Sequence, residues 1–504
     1  MKRFSLLIWA ALILAMAAGC GNEAPETDPA EQAKAGTNET QDVAELVTEA
    51  ETEPVCRDDL PDDLDFGGQT FVFATNNVGD GQIIHYDIGN DALVGEMVED
   101  AVFNRNIRVQ ERLNFKMEKY VSPKSDWNVW AKEMKKTIMA GDDVWQIVVA
   151  KNNATLQSSM SKYFMDLSEM DYLDITKDYW WHDSIMGLSL DGKSYSFLLG
   201  DAILEDCMDG AATLFNKDMY QNLYDSPDEF YQMALDGKWT LDKLTQMCAD
   251  AYSDVNGNGV VDDGDQVGMR FNMYYSEPVL LEYGCNLKRM YRDSQTGIYV
   301  VDYDQEKMAA IYDKLYKLLH NTVGLTFKNQ NEKDTEQTRF VNGLTLFKVC
   351  SLKNTLSPAI RNMSAQWGIV PCPKFDEAQE DYIGVMEGVY MCVPVTVQDA
   401  QPVGAIMEAL ASDAHENVIE EFYSEALMAK YSPDEESSKC IKLIADSVCI
   451  DPAYSYLDAF DYLSIMIGEN AALNKPVVSA YASKAEAAQK KFDKYVADYL
   501  KSRG

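Results

Sequence analysis

The sequence predicts an α/β fold divided between two lobes. The chain has 504 residues, which is too long for one ordinary hydrophobic core and fits two lobes with additional segments. Hydrophobic residues make up 46% of the chain, so most of it is expected to fold. Short apolar strands alternate with helical patterns from Phe71 onward, and this alternation is typical of α/β layers.

The N-terminus has the pattern of a secretory signal. Lys2 and Arg3 precede an apolar run, 4–18, which is short for a membrane span. Residues 1–19 are therefore predicted to be a signal peptide that is removed.

Cys20 follows directly after Ala-Ala-Gly and resembles the cysteine of the bacterial lipobox. The resemblance implies that Cys20 carries a diacylglyceryl thioether and becomes the new N-terminus; the alternative is a plain signal peptide. Residues 20–61 contain no aromatic side chain and are rich in Glu, Asp, Thr, Ala and Pro. Such a segment buries too little apolar surface to fold, so it is predicted to be a flexible tether.

The folded part begins with elements that alternate in type. The spacing of apolar residues predicts strands and helices in this order: a strand ending at Ala74, a helix over 100–113, a strand over 115–120, a helix over 127–139 and a strand over 143–150. In open α/β sheets, ligands bind beyond the carboxyl ends of strands. Asn76, Asn152 and Asn153 stand at two such ends and are candidate ligand residues, with ordinary turn asparagines as the alternative.

Several motifs, in the same order along the chain, resemble the sugar-binding family of extracellular solute-binding proteins of ABC transporters, which includes the maltodextrin-binding proteins. They are Asn104-Arg105-Asn106, Phe164 to Ser168, Trp180-Trp181, Leu214 to Asp218, Gly237 to Leu244, Phe340 to Phe347 and Gly368 to Lys374. The resemblance implies a two-lobed periplasmic-binding-protein-like fold with hinge crossings between the lobes. It implies one lobe from 62–208 plus 392–445 and a second from 209–391 plus 446–504.

The resemblance also implies where a solute binds. Asp209 stands just before the first crossing, Ser351 lies in a turn that touches ligand in the family, and Glu387 and Tyr390 lie on the second crossing. These four residues are predicted to contact the solute in the cleft.

A sugar presents C–H groups that stack on an aromatic face, while its hydroxyls meet carboxylates and amides. Trp181, Tyr274 and Tyr275 are the candidate aromatic platforms, with core packing as the alternative. Trp180 and Trp181 are adjacent, so at most one of them is expected to reach the cleft.

A twelve-residue segment in the second lobe, 254–265, has the spacing of an EF-hand calcium loop. Oxygen-bearing side chains fall at positions one, three, five, nine and twelve, with glycine at position six and a carbonyl at position seven. The predicted ligands of a structural Ca²⁺ are Asp254, Asn256, Asn258, Val260 (by its carbonyl), Asp262 and Asp265. Position twelve is Asp rather than Glu, and a strand pattern follows the loop, so a paired helix–loop–helix is not expected. An Asn/Gly-rich hairpin turn is the alternative.

Charge and motif content restrict the function further. A formal net charge of −38 argues against nucleic-acid binding. The four histidines lack metal spacing, and no nucleophile-elbow, phosphate-loop or zinc-protease motif is found. The prediction is therefore a monomeric, lipid-anchored binding protein without catalytic activity or cofactor, at the extracellular face of the membrane.

Its expected ligand is an oligosaccharide or similar neutral solute, and its expected partner is a transporter permease. The alternatives are a surface-anchored carbohydrate-active enzyme, a receptor for peptide or another solute, and a partner of a sensor kinase.

Overall fold

The computed structural model describes residues 58–76, 87–124, 126–151, 163–272, 277–328, 335–423 and 435–503. The strands of this part are β1 (Gln69–Asn76), β2 (Phe115–Ser122), β3 (Ile147–Lys151), β4 (Ala211–Asn216), β5 (Val267–Asn272), β6 (Met290–Arg292), β7 (Tyr299–Val301), β8 (Leu325–Lys328), β9 (Thr345–Ser351), β10 (Trp367–Pro371), β11 (Gly384–Val385), β12 (Val389–Cys392) and β13 (Val448–Cys449).

The α-helices are α1 (Met97–Leu113), α2 (Trp127–Ala140), α3 (His182–Leu188), α4 (Leu204–Met208), α5 (Lys217–Leu223), α6 (Pro227–Leu235), α7 (Leu241–Asp250), α8 (Glu277–Gly284), α9 (Gln305–Asn321), α10 (Glu336–Val341), α11 (Pro358–Arg361), α12 (Gln401–Asn417), α13 (Ile419–Glu421), α14 (Glu435–Ser447), α15 (Pro452–Ser455), α16 (Met466–Ala472) and α17 (Val477–Arg503). Short 3₁₀ turns lie at Leu352–Leu356 and Leu463–Ile465.

Two sheets form the centres of the two lobes. The first sheet has the order β12-β3-β1-β2, in which β1 is parallel to β2 and β3, and β12 is antiparallel to β3. Its central strands are apolar on both faces, and helices such as α1 and α2 bury them, as expected for a parallel sheet.

The second sheet has the order β10-β4-β9-β5-β8 and mixes parallel and antiparallel pairs. Every residue of β4 is buried. Aromatic rings fill its core: Phe230 packs edge to face against Phe215 and Trp239, with ring centroids 4.8 and 4.7 Å apart. Trp239 is fully buried and donates its ring N–H to the Pro371 carbonyl.

The chain passes between the sheets along closely packed segments. It leaves the first sheet at β3 and enters the second at β4, and it returns from β10 to β12 through β11, which pairs in parallel with β13. A Cβ on Gly210 would lie 2.5 Å from Val448 Cγ2, and one on Gly384 would lie 2.9 Å from Ser447 Oγ and 3.2 Å from the Ala211 backbone. Glycine at these two positions lets the crossing segments approach one another.

The predicted α/β architecture with lobe crossings is confirmed. The helix α14, most of which falls in the range 392–445 predicted for the first lobe, packs against β10 and α6. The lobe boundaries stay a prediction. The predicted tether, 20–61, lies almost wholly outside the described residues. Within the described part of the chain, no helix combines the length and apolar character needed to cross a membrane.

Candidate functional site

Positive side chains from the two lobes meet across two carboxylates of the first crossing. Lys151 ends β3 of the first sheet, and Lys353 follows β9 of the second. Their ammonium groups lie 2.9 and 3.0 Å from the same oxygen, Glu205 Oε1. On the other side, Asp209 Oδ2 lies 3.9 Å from Lys151 Nζ, and Asp209 Oδ1 lies 2.6 Å from Lys353 Nζ. The four charges therefore alternate in sign around a ring that joins the lobes.

Attraction within this ring favours the charged forms of Lys151, Asp209 and Lys353. Burial raises the pKa of Asp209, but Lys353 and Lys151, together with a hydrogen bond from Ser351, lower it more, so its pKa lies below the usual range. Burial lowers the pKa of Lys151, yet Asp209 and Glu205 raise it further, and the net shift is upward. The pKa of Lys353 is raised for the same reason. Both ammonium groups and the Asp209 carboxylate are therefore ionised at neutral pH.

Glu387 lies on the second crossing, and its carboxyl group interacts electrostatically with the same ring. Burial raises the pKa of its carboxyl group, and Asp209 adds to the rise, although Lys151 and Lys353 oppose it. The side chain is half-buried. Within the described residues, its carboxylate has no hydrogen-bond donor and no ion pair within 4.0 Å. Its oxygens are hydrogen-bond acceptors that the described residues do not satisfy.

The hydroxyl group of Tyr454, in α15, interacts electrostatically with the same charged groups. Burial raises the pKa of its hydroxyl, and the charges of Glu387 and Asp209 raise it further. The half-buried ring packs edge to face on Tyr283, with centroids 5.1 Å apart. No partner for the Tyr454 hydroxyl is found in the described part of the chain. We call Lys151, Glu205, Asp209, Ser351, Lys353, Glu387 and Tyr454 together the interlobe cluster.

Two further carboxyl groups lie behind the cluster. Burial raises the pKa of Asp87 and of Asp206 well above the usual range. Asp87 Oδ1 accepts the backbone N–H of Glu205, and Asp206 Oδ1 accepts the N–H of Val389 at 2.8 Å. Asp206 therefore joins the first crossing to the second.

The structure brings three of the predicted ligand residues together and separates others. Asp209, Ser351 and Glu387 belong to the interlobe cluster. Tyr390 contacts the cluster only through its hydroxyl, which donates to the Glu387 carbonyl at 3.3 Å. Its ring is fully buried, packs edge to face on Phe197 with centroids 5.4 Å apart, and has no face open to a solute.

Two more predicted residues lie away from the cluster in their described contacts. Trp181 precedes α3, and its ring N–H lies 3.4 Å from Asp201 Oδ1. Asn76 is fully buried, and its amide nitrogen lies 3.4 Å from the Lys124 carbonyl. Asn152, Asn153, Tyr274 and Tyr275 lie outside the described residues.

Sequence reasoning missed Lys151, Glu205, Lys353 and Tyr454. Lys151 directly precedes Asn152 at the end of β3, so the strand-end rule that selected Asn152 could have selected it as well. Lys353 stands two residues beyond Ser351 and could have been found in the same way. Glu205 and Tyr454 carry no local sequence signal.

The calcium-like loop, 254–265, connects α7 to β5. Asp254 accepts the backbone N–H groups of Gly257 and Gly259 at 2.7 and 2.8 Å, and Asn258 accepts that of Val260 at 2.7 Å. Asp262 accepts the Asn258 amide at 2.6 Å. These bonds link Asp254, Asn258 and Asp262 to the loop backbone and to one another.

The donor set matches the hard-oxygen chemistry of Ca²⁺ in kind. The N–H of Gly264 and the amide of Asn258 hold the pKa of Asp262 below its usual value. Asp265 is fully buried, and its two oxygens accept the N–H groups of Val255 and Asp262 at 3.2 and 3.1 Å. No group of three or more His, Cys, Asp or Glu side chains that could hold a metal occurs in the described residues, so calcium binding here would depend on the amide and carbonyl oxygens as well.

The loop is held to the second lobe by two buried arginines. Arg339 donates to the Asp263 and Asp265 carbonyls, both at 2.8 Å. Arg270 forms an ion pair with Asp263. The strand β5 begins at Val267, shortly after the loop. A strand rather than a second helix therefore follows the loop, as the sequence pattern predicts.

No family model and no curated protein sequence matches the chain. Solved structures do match. The galacto-N-biose-/lacto-N-biose I-binding protein of the ABC transporter from Bifidobacterium longum, in complex with lacto-N-biose, has a TM-score of 0.56 at 11% identity and covers 86% of this chain and 98% of its own.

Two other similar structures have different ligands. The GacH receptor of Streptomyces glaucescens, studied unliganded and with acarbose, has a TM-score of 0.54 at 11% identity, with 84% of this chain and 99% of that chain covered. UgpB from Mycobacterium tuberculosis, in complex with glycerophosphocholine, has a TM-score of 0.54 at 13% identity, with 85% of this chain and 99% of UgpB covered. The chain therefore has the two-lobed α/β fold of the ABC-transporter solute-binding proteins.

Proposed function

We propose that this protein binds a saccharide in the cleft between its lobes and presents it to the permease of an ABC transporter. The observation that carries the proposal is the interlobe cluster, in which polar groups from both lobes and from the crossings converge. Glu387 and the Tyr454 hydroxyl offer an acceptor and a donor that the described residues do not satisfy. A polyhydroxylated solute supplies the complementary groups.

The similar structures support this function. Two of them bind sugars or an acarbose-type compound, and the third binds glycerophosphocholine, so the fold also accommodates other polar solutes. A receptor for a non-saccharide solute is therefore the second candidate. A thermal-shift screen of the mature chain against saccharides, peptides and phosphodiesters distinguishes the two, since only the saccharides should raise the melting temperature.

The absence of catalysis is part of the proposal. The cluster commits Lys151 and Lys353 to Glu205 and Asp209, and two of the similar structures are named as a receptor and a binding protein, which supports this part of the proposal. A saccharide bound in the screen should be recovered unchanged after incubation. Release of shorter products would instead favour the carbohydrate-active enzyme.

Two further proposals concern attachment and metal. Cys20 anchors the chain to the outer face of the membrane through its lipid, and Cys20→Ala should move the protein from the membrane fraction to the soluble fraction. A Ca²⁺ ion held by Asp254, Asn256, Asn258, Val260, Asp262 and Asp265 stabilises the second lobe. A soluble wild-type protein would contradict the anchor.

A further inference from the structure

A two-stranded hairpin of the second lobe is seated on a helix of the first lobe. The hairpin consists of β6 and β7, and along the chain it lies between β5 and β8, which are neighbouring strands of the second sheet. The helix is α3, and it is followed by a segment in which Leu198 pairs with Met391 of β12 in the first sheet. Contacts between the hairpin and α3 therefore join the two lobes through side chains, in addition to the chain crossings.

Arg292, the last residue of β6, binds the end of α3. Its Nη2 donates to the carbonyls of Met186 and Ser189 at 3.1 and 2.7 Å, and its Nη1 donates to the Gly297 carbonyl of its own hairpin at 2.6 Å. The guanidinium also lies over the Tyr299 ring, 4.2 Å from the ring centroid. The last carbonyls of a helix lack partners within the helix, and a cation is favoured at that end. The hairpin therefore orients a cation toward carbonyls of the other lobe.

Two tyrosine hydroxyls of the second lobe complete these contacts. Tyr299 of β7 donates to the Gly187 carbonyl at 2.5 Å, and Tyr456, which follows α15, donates to the Leu188 carbonyl at 2.6 Å. Three side chains of the second lobe thus donate to four consecutive carbonyls, 186–189, at the end of α3. We call Arg292, Tyr299 and Tyr456 together the interlobe clasp.

The two surfaces that meet at the clasp are each held in shape by an aspartate. Asp191, in the turn after α3, accepts the backbone N–H and the hydroxyl of Ser194 at 2.8 and 2.6 Å. Asp293, in the turn of the hairpin, accepts the backbone N–H and the hydroxyl of Thr296, both at 2.8 Å. Because both turns are ordered by their own side chains, little conformational freedom is lost when the two surfaces meet.

We propose that the interlobe clasp holds the two lobes in the arrangement in which the interlobe cluster is assembled, and that it thereby sets how tightly the cleft binds its solute. A solute that needs both lobes binds only to chains in that arrangement, so its apparent affinity falls when fewer chains adopt it. No clasp residue belongs to the interlobe cluster, so the effect on binding is expected to act through the arrangement of the lobes. That effect rests on the proposed solute-binding function, whereas the effect on the lobes does not.

Small-angle scattering of the mature chain tests the effect on the lobes without any solute. Arg292→Met removes the donors to α3 and should increase the radius of gyration, because the lobes then spend more time apart. Tyr299→Phe removes a single hydroxyl and should act in the same direction, and it keeps the test decisive if Arg292→Met does not fold. Arg108→Met is the matched control: it breaks a two-bond pair with Asp413 between α1 and α12, both in the predicted first lobe, and should leave the radius unchanged.

Calorimetric titration tests the effect on binding, with maltose, lactose, cellobiose and mannotriose as probes. Arg292→Met should bind the tightest of these probes about tenfold more weakly than wild type, as expected when hydrogen bonds from a charged group are lost, and Arg108→Met should bind it as wild type does. An unchanged radius of gyration in both clasp variants would overturn the clasp. An increased radius with unchanged affinity would overturn its link to binding. If no saccharide binds the wild-type chain, the proposed function fails, and scattering still decides the clasp.

Discussion

Lys353 Nζ lies 2.6 Å from Asp209 Oδ1, and this contact joins the second lobe to the first crossing. Lys151 approaches the same carboxylate from the first lobe. Among the described residues, the site between the lobes is therefore held together by charged side chains of both lobes.

Removing one charge of the ring should destabilise the protein. Lys353→Met leaves Glu205 and Asp209 with Lys151 alone, and the expected loss is about 1–3 kcal/mol of unfolding free energy, between the values for exposed and buried pairs. Urea unfolding measures it. The control Lys439→Met removes a surface pair with Glu435 and should change stability by less than about 0.5 kcal/mol. Equal effects of both substitutions would mean that the ring contributes nothing beyond a surface pair.

The close approach of the crossing segments predicts a glycine requirement. Gly210→Ala places a Cβ 2.5 Å from Val448 Cγ2 and should cost about 1–3 kcal/mol, as overpacking does. Val448→Ala in the same chain should recover part of the loss. Gly187→Ala, where a Cβ would meet nothing within 4 Å, should be neutral or slightly stabilising in α3. If Gly210→Ala unfolds at the same urea concentration as wild type, the crossings are looser than described.

A buried carboxyl group predicts a pH dependence of stability. Glu277 begins α8 and is 7% exposed, and burial, reinforced by Glu336, raises its pKa from 4.5 to about 7. Because the folded state binds this proton more tightly than the unfolded state, its contribution is complete below pH 4.5 and is lost as the pH rises to about 7.

Glu277→Gln should remove this dependence. Relative to wild type, the variant should gain about 1–3 kcal/mol between mildly acidic and mildly alkaline pH, measured by urea unfolding at both. Glu380→Gln, at an exposed position, should show no such gain. A wild-type protein whose stability rises over the same pH interval, by an amount that Glu277→Gln leaves unchanged, would refute the assignment.

The calcium proposal predicts a metal-dependent melting temperature. An ion bound only by the native state stabilises it by about 2.7 kcal/mol at a hundredfold excess over the dissociation constant, so Ca²⁺ should raise the melting temperature and EDTA should lower it. Asp254→Ala should abolish the shift, while Asp225→Ala, at an exposed position outside the loop, should retain it. Identical wild-type melting curves with Ca²⁺ and with EDTA would exclude the ion and leave Arg270 and Arg339 as the anchors of the loop.

Local sequence signals located many elements of the fold. The helix predicted over 127–139 is α2, where the Asp126 side chain accepts the Val129 N–H and Gly141 ends the helix at φ 82°. The strand over 115–120 is extended by two residues in β2. Caps, periodicity and glycine act within a few residues of one another, and a single sequence displays them directly.

Less of the candidate site can be predicted from the sequence, because the residues that contact one another there are far apart along the chain. Lys353 meets Glu205 across 148 residues, and nothing near either residue indicates the pairing. The position of Tyr390 on the second crossing predicts a contact with the solute, but in β12 its ring packs in the core against Phe197. The crossing segment could be predicted, whereas the direction of each side chain depends on register with strands elsewhere in the chain.

The most direct test of the central claim is calorimetric titration of the mature wild-type chain and its Asp209→Asn variant with the saccharide that gives the largest shift in a thermal screen. We expect saturable binding of one molecule per chain, weakened about tenfold or more by the substitution, because Asp209 holds both lysines of the cluster. Binding that is unchanged in Asp209→Asn, or a screen in which only non-saccharide solutes bind, would contradict it.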